Sequence, residues 1–351
     1  MNETQQKIYT QAKGKWDAIA KPIDILGVFE DMVARLCAIA GTVNPGDYKR
    51  RALLTLCADH GVVAEGVTQT DASVTKVVAE NIAHGCSGVN YMAQMAGVDV
   101  YAVDIGMRGE AYPDATFGMG HMINRKVQAG TGNLAKEPAM SMEICDRAIE
   151  AGKELVRECK EKGYEILAVG EMGIGNTTTS TAVAAALLDL EVEQVTGKGA
   201  GLTDEALKRK CRVIEEAIEK YFLRDADAFT ILKTVGGLDI AGLTGVFIGA
   251  AIEQIPVVID GVISAVAALL AETFCKGAVN YMIPSHKSRE LAETAIMKKL
   301  HLDPVLDADM ALGEGTGAVM MMSLLDVALG VYLQGASFAN FEIEQYKRYE
   351  E

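Results

Sequence analysis

Tryptophan occurs once in the 351 residues and proline seven times, and no stretch is both long and apolar enough to be read as a membrane span. The nearest run, residues 318–333, is interrupted by Ser323 and Asp326, whereas a bilayer core needs about 20 predominantly apolar residues. Met1-Asn2-Glu3-Thr4-Gln5-Gln6-Lys7 carries no apolar signal core, so neither secretion nor membrane insertion is expected. The seven cysteines (37, 57, 86, 145, 159, 211 and 275) are odd in number, widely spaced and never in a Cys-x-x-Cys pair. That pattern offers neither a disulfide framework nor a zinc site, and it reads as small buried hydrophobes in a reducing cytoplasm. Basic residues are also scarce: 33 Lys and Arg face 48 Asp and Glu, for a formal net charge of −15. Such a field repels nucleic acid and anionic lipid, so neither is an expected partner. An anionic ligand would have to be held by local amides and single cationic side chains. No low-complexity segment, repeat or Pro/Gly/Ser-rich linker divides the chain.

What the chain does have is apolar material and glycine: half of it is hydrophobic, and 35 residues are glycine. Short, largely apolar runs at 52–58, 98–103, 166–169, 255–259 and 278–283 read as buried strands, and several end on polar residues: Asp59-His60, Asp104, Asp260-Gly261 and Ser285-His286. Helical periodicity occupies 75–95, 142–162, 203–221, 238–253 and 262–274 between them, and 1–42 reads as packing helices broken at Lys21-Pro22. Strand alternating with helix predicts an α/β fold, a Rossmann-like parallel sheet flanked by helices whose ligands sit beyond the strands' carboxyl ends. The expected division is a helical segment 1–45, a nucleotide-binding α/β region 46–310, and 311–351 carrying a glutamate loop and C-terminal helices that join the N-terminal segment in a smaller helical domain.

The most informative stretch is Gly170-Glu171-Met172-Gly173-Ile174-Gly175-Asn176-Thr177, between an apolar strand and an Ala-rich helix. Glycines allow close backbone approach, and the N–H groups and dipole of the first helical turn favour an anion. The spacing approaches that of the triphosphate loop, but Asn176 stands where that motif needs lysine. One phosphate therefore fits better than three, which weighs against an ATPase or kinase. Gly197-Lys198-Gly199-Ala200-Gly201 is a second glycine loop before a helix capped by Thr203. Lys210, seven residues into that helix, reads as solvated. Asp260 is open to two readings, cap of its own helix or ligand of ribose hydroxyls. The 285–288 segment, with hydroxyls, imidazole and ammonium, is expected at a helix start. Glu314, between Gly313 and Gly315 in an apolar context, is unlike a packing residue; burial would raise its pKa and make it a base. A non-catalytic nucleotide-binding regulator would have no use for it. Met320-Met321-Met322 reads as core, with an apolar ligand wall as the alternative.

Taken together these stretches resemble the nicotinate-nucleotide:dimethylbenzimidazole phosphoribosyltransferase family over nearly the whole chain. Ala58-Asp59-His60-Gly61-Val62, Glu65-Gly66-Val67, residues 170–178, Ile259-Asp260-Gly261, Ser285-His286-Lys287-Ser288 and 312–318 fall in the family's order. The resemblance implies Glu314 as proton acceptor, with Glu171 and Lys210 lining the active site. It implies nucleotide or base contacts at Gly173, Ile174, Gly175, Asn176, Thr177, Gly199, Gly201, Asp260, Ser285, His286 and Ser288, and at Asp59, Thr68, Lys76 and Leu312. It further implies small-molecule substrates (nicotinate mononucleotide and a benzimidazole-type base), a homodimer, and neither metal nor cofactor. The chain departs from the family in having Lys76-Val77 where glutamine is usual, Asp239 where glutamate is usual, and Pro22-Ile23-Asp24-Ile25-Leu26-Gly27 in place of a Pro-Gly-Ser-Leu-Gly type segment.

Overall fold

Six parallel strands organise the chain in the computed structural model, which describes residues 1–113, 122–199 and 201–348. They are β1 (Arg51–Ala58), β2 (Asp99–Gly106), β3 (Ile123–Asn124), β4 (Ile166–Met172), β5 (Val257–Val258) and β6 (Met282–Ile283). Their order across the sheet is β3-β2-β1-β4-β5-β6, the doubly wound arrangement. The winding reverses between β1 and β4, where Leu56 lies opposite Glu171 and Cys57 opposite Met172. Crossovers diverge to either side of such a point and leave a crevice at the strands' carboxyl ends.

Both faces of the sheet are covered, and the strands show it residue by residue. Leu54, Leu56, Val103 and Val169 turn to one hydrophobic cluster, against helices that include Met142–Glu161, Leu238–Glu253 and Val262–Phe274. Leu53, Cys57, Ala102 and Ala168 turn to the other. Period-2 alternation between two apolar faces is why these strands are hydrophobic throughout. The second face is roofed by helices Glu3–Ala18 and Val28–Ala40 together with the long helix Thr316–Gln334. Trp16 and Tyr332 seal that layer, their ring centroids 4.9 Å apart. N-terminal and C-terminal segments thus form one layer that shares its core with the sheet. Among the described residues Thr316–Gln334 is the one helix long and apolar enough to cross a membrane, and more than half of it is buried in this core. Met321 and Met322 point into the core while Met320 is exposed, so the methionine run packs rather than forming a ligand wall.

Several expected boundaries move. The periodic stretch 75–95 is two helices, Ser73–Ala83 and Gly88–Ala96, because Gly85 takes a left-handed φ of +79° and Asn90 Oδ1 accepts the Ser87 N–H at the second start. Strand 255–259 is regular only at two residues, and 278–281 is a 3₁₀ turn ahead of β6. The 285–288 segment does not open a helix: β7 (His286–Ser288) pairs in parallel with β8 (Leu306–Met310), and helix Ala292–Leu300 follows. Apolar composition alone cannot separate a short strand from a tight turn. Four cysteines are buried as expected, but Cys86 is exposed and Cys211 and Cys275 are half-buried.

Candidate active site

Beyond the carboxyl ends of β4, β5 and β6 lies a cavity of about 250 Å³. Its polar lining comes from four places: Glu171, Asn176 and Thr177 after β4; Asp260 after β5; His286, Ser288 and Glu290 around β7; and Glu314. Val78, Met172, Val262, Ile263 and Leu312 supply an apolar wall. A smaller cavity of about 90 Å³ lies against the same glycine loop, bounded by Thr68, Gly173, Gly175, Gly199 and Gly201.

The Glu314 loop is the most constrained part of the site. Gly313, Glu314 and Gly315 have φ of +80°, +62° and +96°, three consecutive residues in left-handed space. Glycine adopts this freely, but a glutamate does so at about 1–3 kcal/mol, so the surrounding structure must hold it. Asp260 does much of the holding. Its buried carboxylate accepts the N–H groups of Gly315 (3.1 Å), Gly317 (2.8 Å) and Ala318 (3.2 Å), capping Thr316–Gln334 rather than its own helix. Thr55 in β1 donates to the Glu314 carbonyl at 3.1 Å, and Gly170 in β4 leaves room for that carbonyl where any Cβ would overlap it. Desolvation raises the Glu314 pKa, the Ser87 hydroxyl and Val89 amide pull it down, and Asp260 adds a further upward push. Its Oε2 is buried with no hydrogen-bond partner among the described residues. A carboxylate that is desolvated, fixed and has one open oxygen is equipped to take a proton.

Around the glycine loop the expected contacts divide. The Ile174 N–H donates to Thr75 Oγ1 (3.1 Å) and the Asn176 N–H to the Gly173 carbonyl (3.0 Å), so these two amides serve the loop's own structure. Gly175 and Thr177 remain its candidate anion donors. Lys210 corrects the solvated reading: it is fully buried, and its ammonium donates to Thr177 Oγ1 (2.9 Å) and the Gly197 carbonyl (3.0 Å), joining the two glycine loops from behind. Burial lowers its pKa while Glu290 raises it. Glu290, which no sequence signal singled out, accepts the Gly199 N–H at 2.9 Å. Ala200 of that loop lies outside the described residues.

Other expected contacts stand away from the cleft. The Asp59 carboxylate is buried against the chain and accepts the Arg108 N–H at 2.7 Å, so it ties the segment after β1 to the one after β2. Asp104 likewise accepts the Met107 N–H and pairs with Lys126. Ser285 is buried, its hydroxyl within 3.1 Å of His286 Nδ1 and 3.3 Å of the Asp260 carbonyl; it supports the site from beneath. Lys76 is exposed, 3.8 Å from Glu80 and above the Tyr112 ring. Its long stem carries the charge outward along the helix, which removes it from the base-binding wall. Val78, two residues on, faces the cleft instead.

Comparison with known proteins extends this geometry to nearly the whole chain. A family profile described as phosphoribosyltransferase matches residues 1–343. The nicotinate-nucleotide–dimethylbenzimidazole phosphoribosyltransferase of Clostridium acetobutylicum is 42% identical over 347 residues, 99% of this chain and 97% of that one. The enzyme of the same name from Acetivibrio thermocellus is 42% identical over 94% of this chain and 92% of its own. Among solved structures, CobT from Thermus thermophilus superposes with a TM-score of 0.90 at 36% identity, covering 97% of this chain and all of that one.

Proposed function

The chain belongs to the nicotinate-nucleotide–dimethylbenzimidazole phosphoribosyltransferase family, and from that premise we propose how its cleft performs the transfer. The substrates are nicotinate mononucleotide and a benzimidazole-type base; the products are an α-riboside phosphate and nicotinate. The observation that carries the assignment of roles is the Glu314 loop, held in left-handed backbone with one carboxylate oxygen free of protein partners among the described residues.

An azole nitrogen attacks C1′ of the nucleotide as the C1′–nicotinate bond breaks, and the bond's electron pair leaves with the pyridine nitrogen. That leaving group departs with a neutral ring and needs no acid. Alkylation of one azole nitrogen acidifies the N–H of the other, and Glu314 accepts that proton, a contribution of roughly 10²–10⁴-fold. The 5′-phosphate is placed at the glycine loops, where the amides of Gly175 and Thr177 and the ammonium of Lys210 oppose the unfavourable global charge. Anchoring it far from C1′ positions the reacting carbon. His286 and Ser288 line the remainder of the nucleotide channel, and the apolar wall receives the base. Mass spectrometry of products from nicotinate mononucleotide with a panel of benzimidazoles, purines and phenols tests the reading; absence of any α-riboside phosphate overturns it.

Base choice follows from the wall. An apolar pocket separates bases differing by a methyl or a ring by only about 1–3 kcal/mol, and Lys76 lies outside it. Lys76→Ala is therefore expected to leave the ratio of products from equimolar competing bases unchanged within about twofold, since an exposed ion pair such as Lys76–Glu80 contributes less than about 1 kcal/mol. A marked change in that ratio would put the ammonium in the pocket.

The active form is assigned as a homodimer in the cytoplasm. Free thiols at all seven cysteines suit a reducing compartment. Met320, Val327 and Val331 are exposed apolar side chains on Thr316–Gln334, half-buried Leu324 falls at the same helical spacing, and the helix packed against it exposes Tyr91 and Met95. Apolar exposure of this kind on two helices packed together fits a second copy of the chain. Light scattering is expected to give the mass of two chains, and Val327→Glu to shift it toward one; a parent of single-chain mass would refute the assignment.

A further inference from the structure

Asn176 takes the place that lysine holds in triphosphate loops, and the structure shows what the amide does there. One of its side-chain N–H bonds goes to Glu171 Oε2 and one to Asp239 Oδ2, the latter at 3.2 Å. The Asp239 carboxylate can only accept, so the amide is oriented with its nitrogen toward Asp239 and Glu171 Oε2. Asp239 is fully buried, with its Oδ1 accepting the Ile240 N–H at 2.9 Å. Behind it, fully buried His60 places Nε2 3.2 Å from Asp239, while its Nδ1 lies 3.4 Å from Thr179 Oγ1. Two glycines are fitted round this pair: a Cβ on Gly237 would overlap the His60 ring, and one on Gly173 would come within 3.0 Å of His60 Nε2 and 3.2 Å of Asp239 Oδ2. Side chains from the end of β1, the end of β4 and the start of two helices thus form one buried chain, with its exposed end at Glu171 in the cleft.

We propose that Asn176, backed by the buried His60–Asp239 pair, is a positioning device that fixes which carboxyl oxygen Glu171 turns toward the nucleotide. The inference rests on the reading above, in which Glu171 faces bound substrate. Because Oε2 accepts from Asn176, a proton carried by Glu171 resides on Oε1, the oxygen beside Gly313 at the cleft surface. Glu171 then offers an O–H to an acceptor oxygen of the nucleotide while Glu314 stays free to act as base. Two neighbouring carboxyl groups are given different tasks by different surroundings. The charged groups facing Glu171 are Asp239, Asp260 and Glu314, with His60 behind Asp239. Burial first and the Asp239 charge second push its pKa to about 8, while the Asn176 hydrogen bond draws it down.

Those two influences have opposite signs, whereas a general loosening of the site would relieve the desolvation of Glu171 and lower its pKa in both variants. The test is a ¹³C NMR titration of the Glu171 side-chain carboxyl, assigned by its loss in Glu171→Gln, in the parent, Asp239→Asn and Asn176→Ala. The parent midpoint is expected near 8. Asp239→Asn should lower it by roughly one unit or more, and Asn176→Ala should raise it. The corresponding limb of the kcat/KM profile should move the same way in each variant. Midpoints unchanged in both variants, or displaced in the same direction, would overturn the proposal. If Asp239→Asn does not fold, Asn176→Ala decides alone: an upward shift supports the device, and no shift or a downward one removes it. The titration needs no turnover, so a parent that makes no α-riboside phosphate would refute the assigned reaction while the midpoints still decide this inference.

Discussion

Glu314→Gln is expected to lower turnover by roughly 10²-fold or more while nicotinate mononucleotide binds about as tightly as to the parent. The substitution keeps size and hydrogen-bonding reach and removes basicity. The backbone that holds the residue is untouched, because Asp260, Thr55 and Gly170 act on the main chain of the loop and not on the Glu314 side chain. A pH signature accompanies the loss. Glu314 works as a base only when ionised, and burial raises its pKa from the ordinary value, so the acid limb on which parental turnover rises with pH should be shifted upward with it. Asp260, also raised by burial, weakens as a clamp when protonated and contributes to the same acid limb. In the glutamine variant the part of the limb due to Glu314 should disappear. Turnover within severalfold of the parent, with the limb intact, would remove Glu314 from the mechanism.

How much of this is legible in the sequence depends on whether a signal is local. The buried strands announce themselves as largely apolar runs, and Glu314 stands out as a carboxylate enclosed by glycines; the structure accounts for both, by a sheet covered on two faces and by three consecutive left-handed residues. Long-range partnerships leave no trace. Asp260 and the amides it caps are at least 55 residues apart, so its reading as cap of its own helix misses the helix it serves. Lys210 reads as solvated because its helix is amphipathic and charged, and the groups that bury its ammonium, Thr177 and Gly197, belong to other elements. His60, just after β1, and Asp239, in the first turn of Leu238–Glu253, are 179 residues apart and meet only in the folded chain. His286 reads as part of a helix start because Ser-His-Lys-Ser has cap-like composition; its partner strand begins 20 residues later at Leu306.

Asp260→Ala is expected to be at least as damaging to turnover as loss of the base itself, although Asp260 transfers no proton in the proposed reaction. Its carboxylate accepts three N–H groups at the start of Thr316–Gln334, in a buried position at the positive end of the helix dipole. Hydrogen bonds to a charged acceptor contribute about 1.5–3 kcal/mol each, and removing the acceptor leaves buried donors unpaired. Some of that loss returns, since burying the carboxylate is itself unfavourable and His286 Nδ1 lies 3.9 Å away as partial compensation. A net destabilisation of about 3–5 kcal/mol is expected for loss of a buried cap of this kind. The loop feels it most directly, because left-handed backbone at Glu314 persists only while its neighbours hold it. Once released, Glu314 relaxes toward ordinary backbone angles and its carboxylate leaves the cleft. Turnover should therefore fall by roughly 10²-fold or more with a lowered Tm, whereas Glu314→Gln should leave Tm nearly unchanged. Combining the two substitutions should cost little more turnover than Asp260→Ala alone, since both remove the same base. If instead the losses multiplied, Asp260 would be acting on the substrate directly and not through the Glu314 loop.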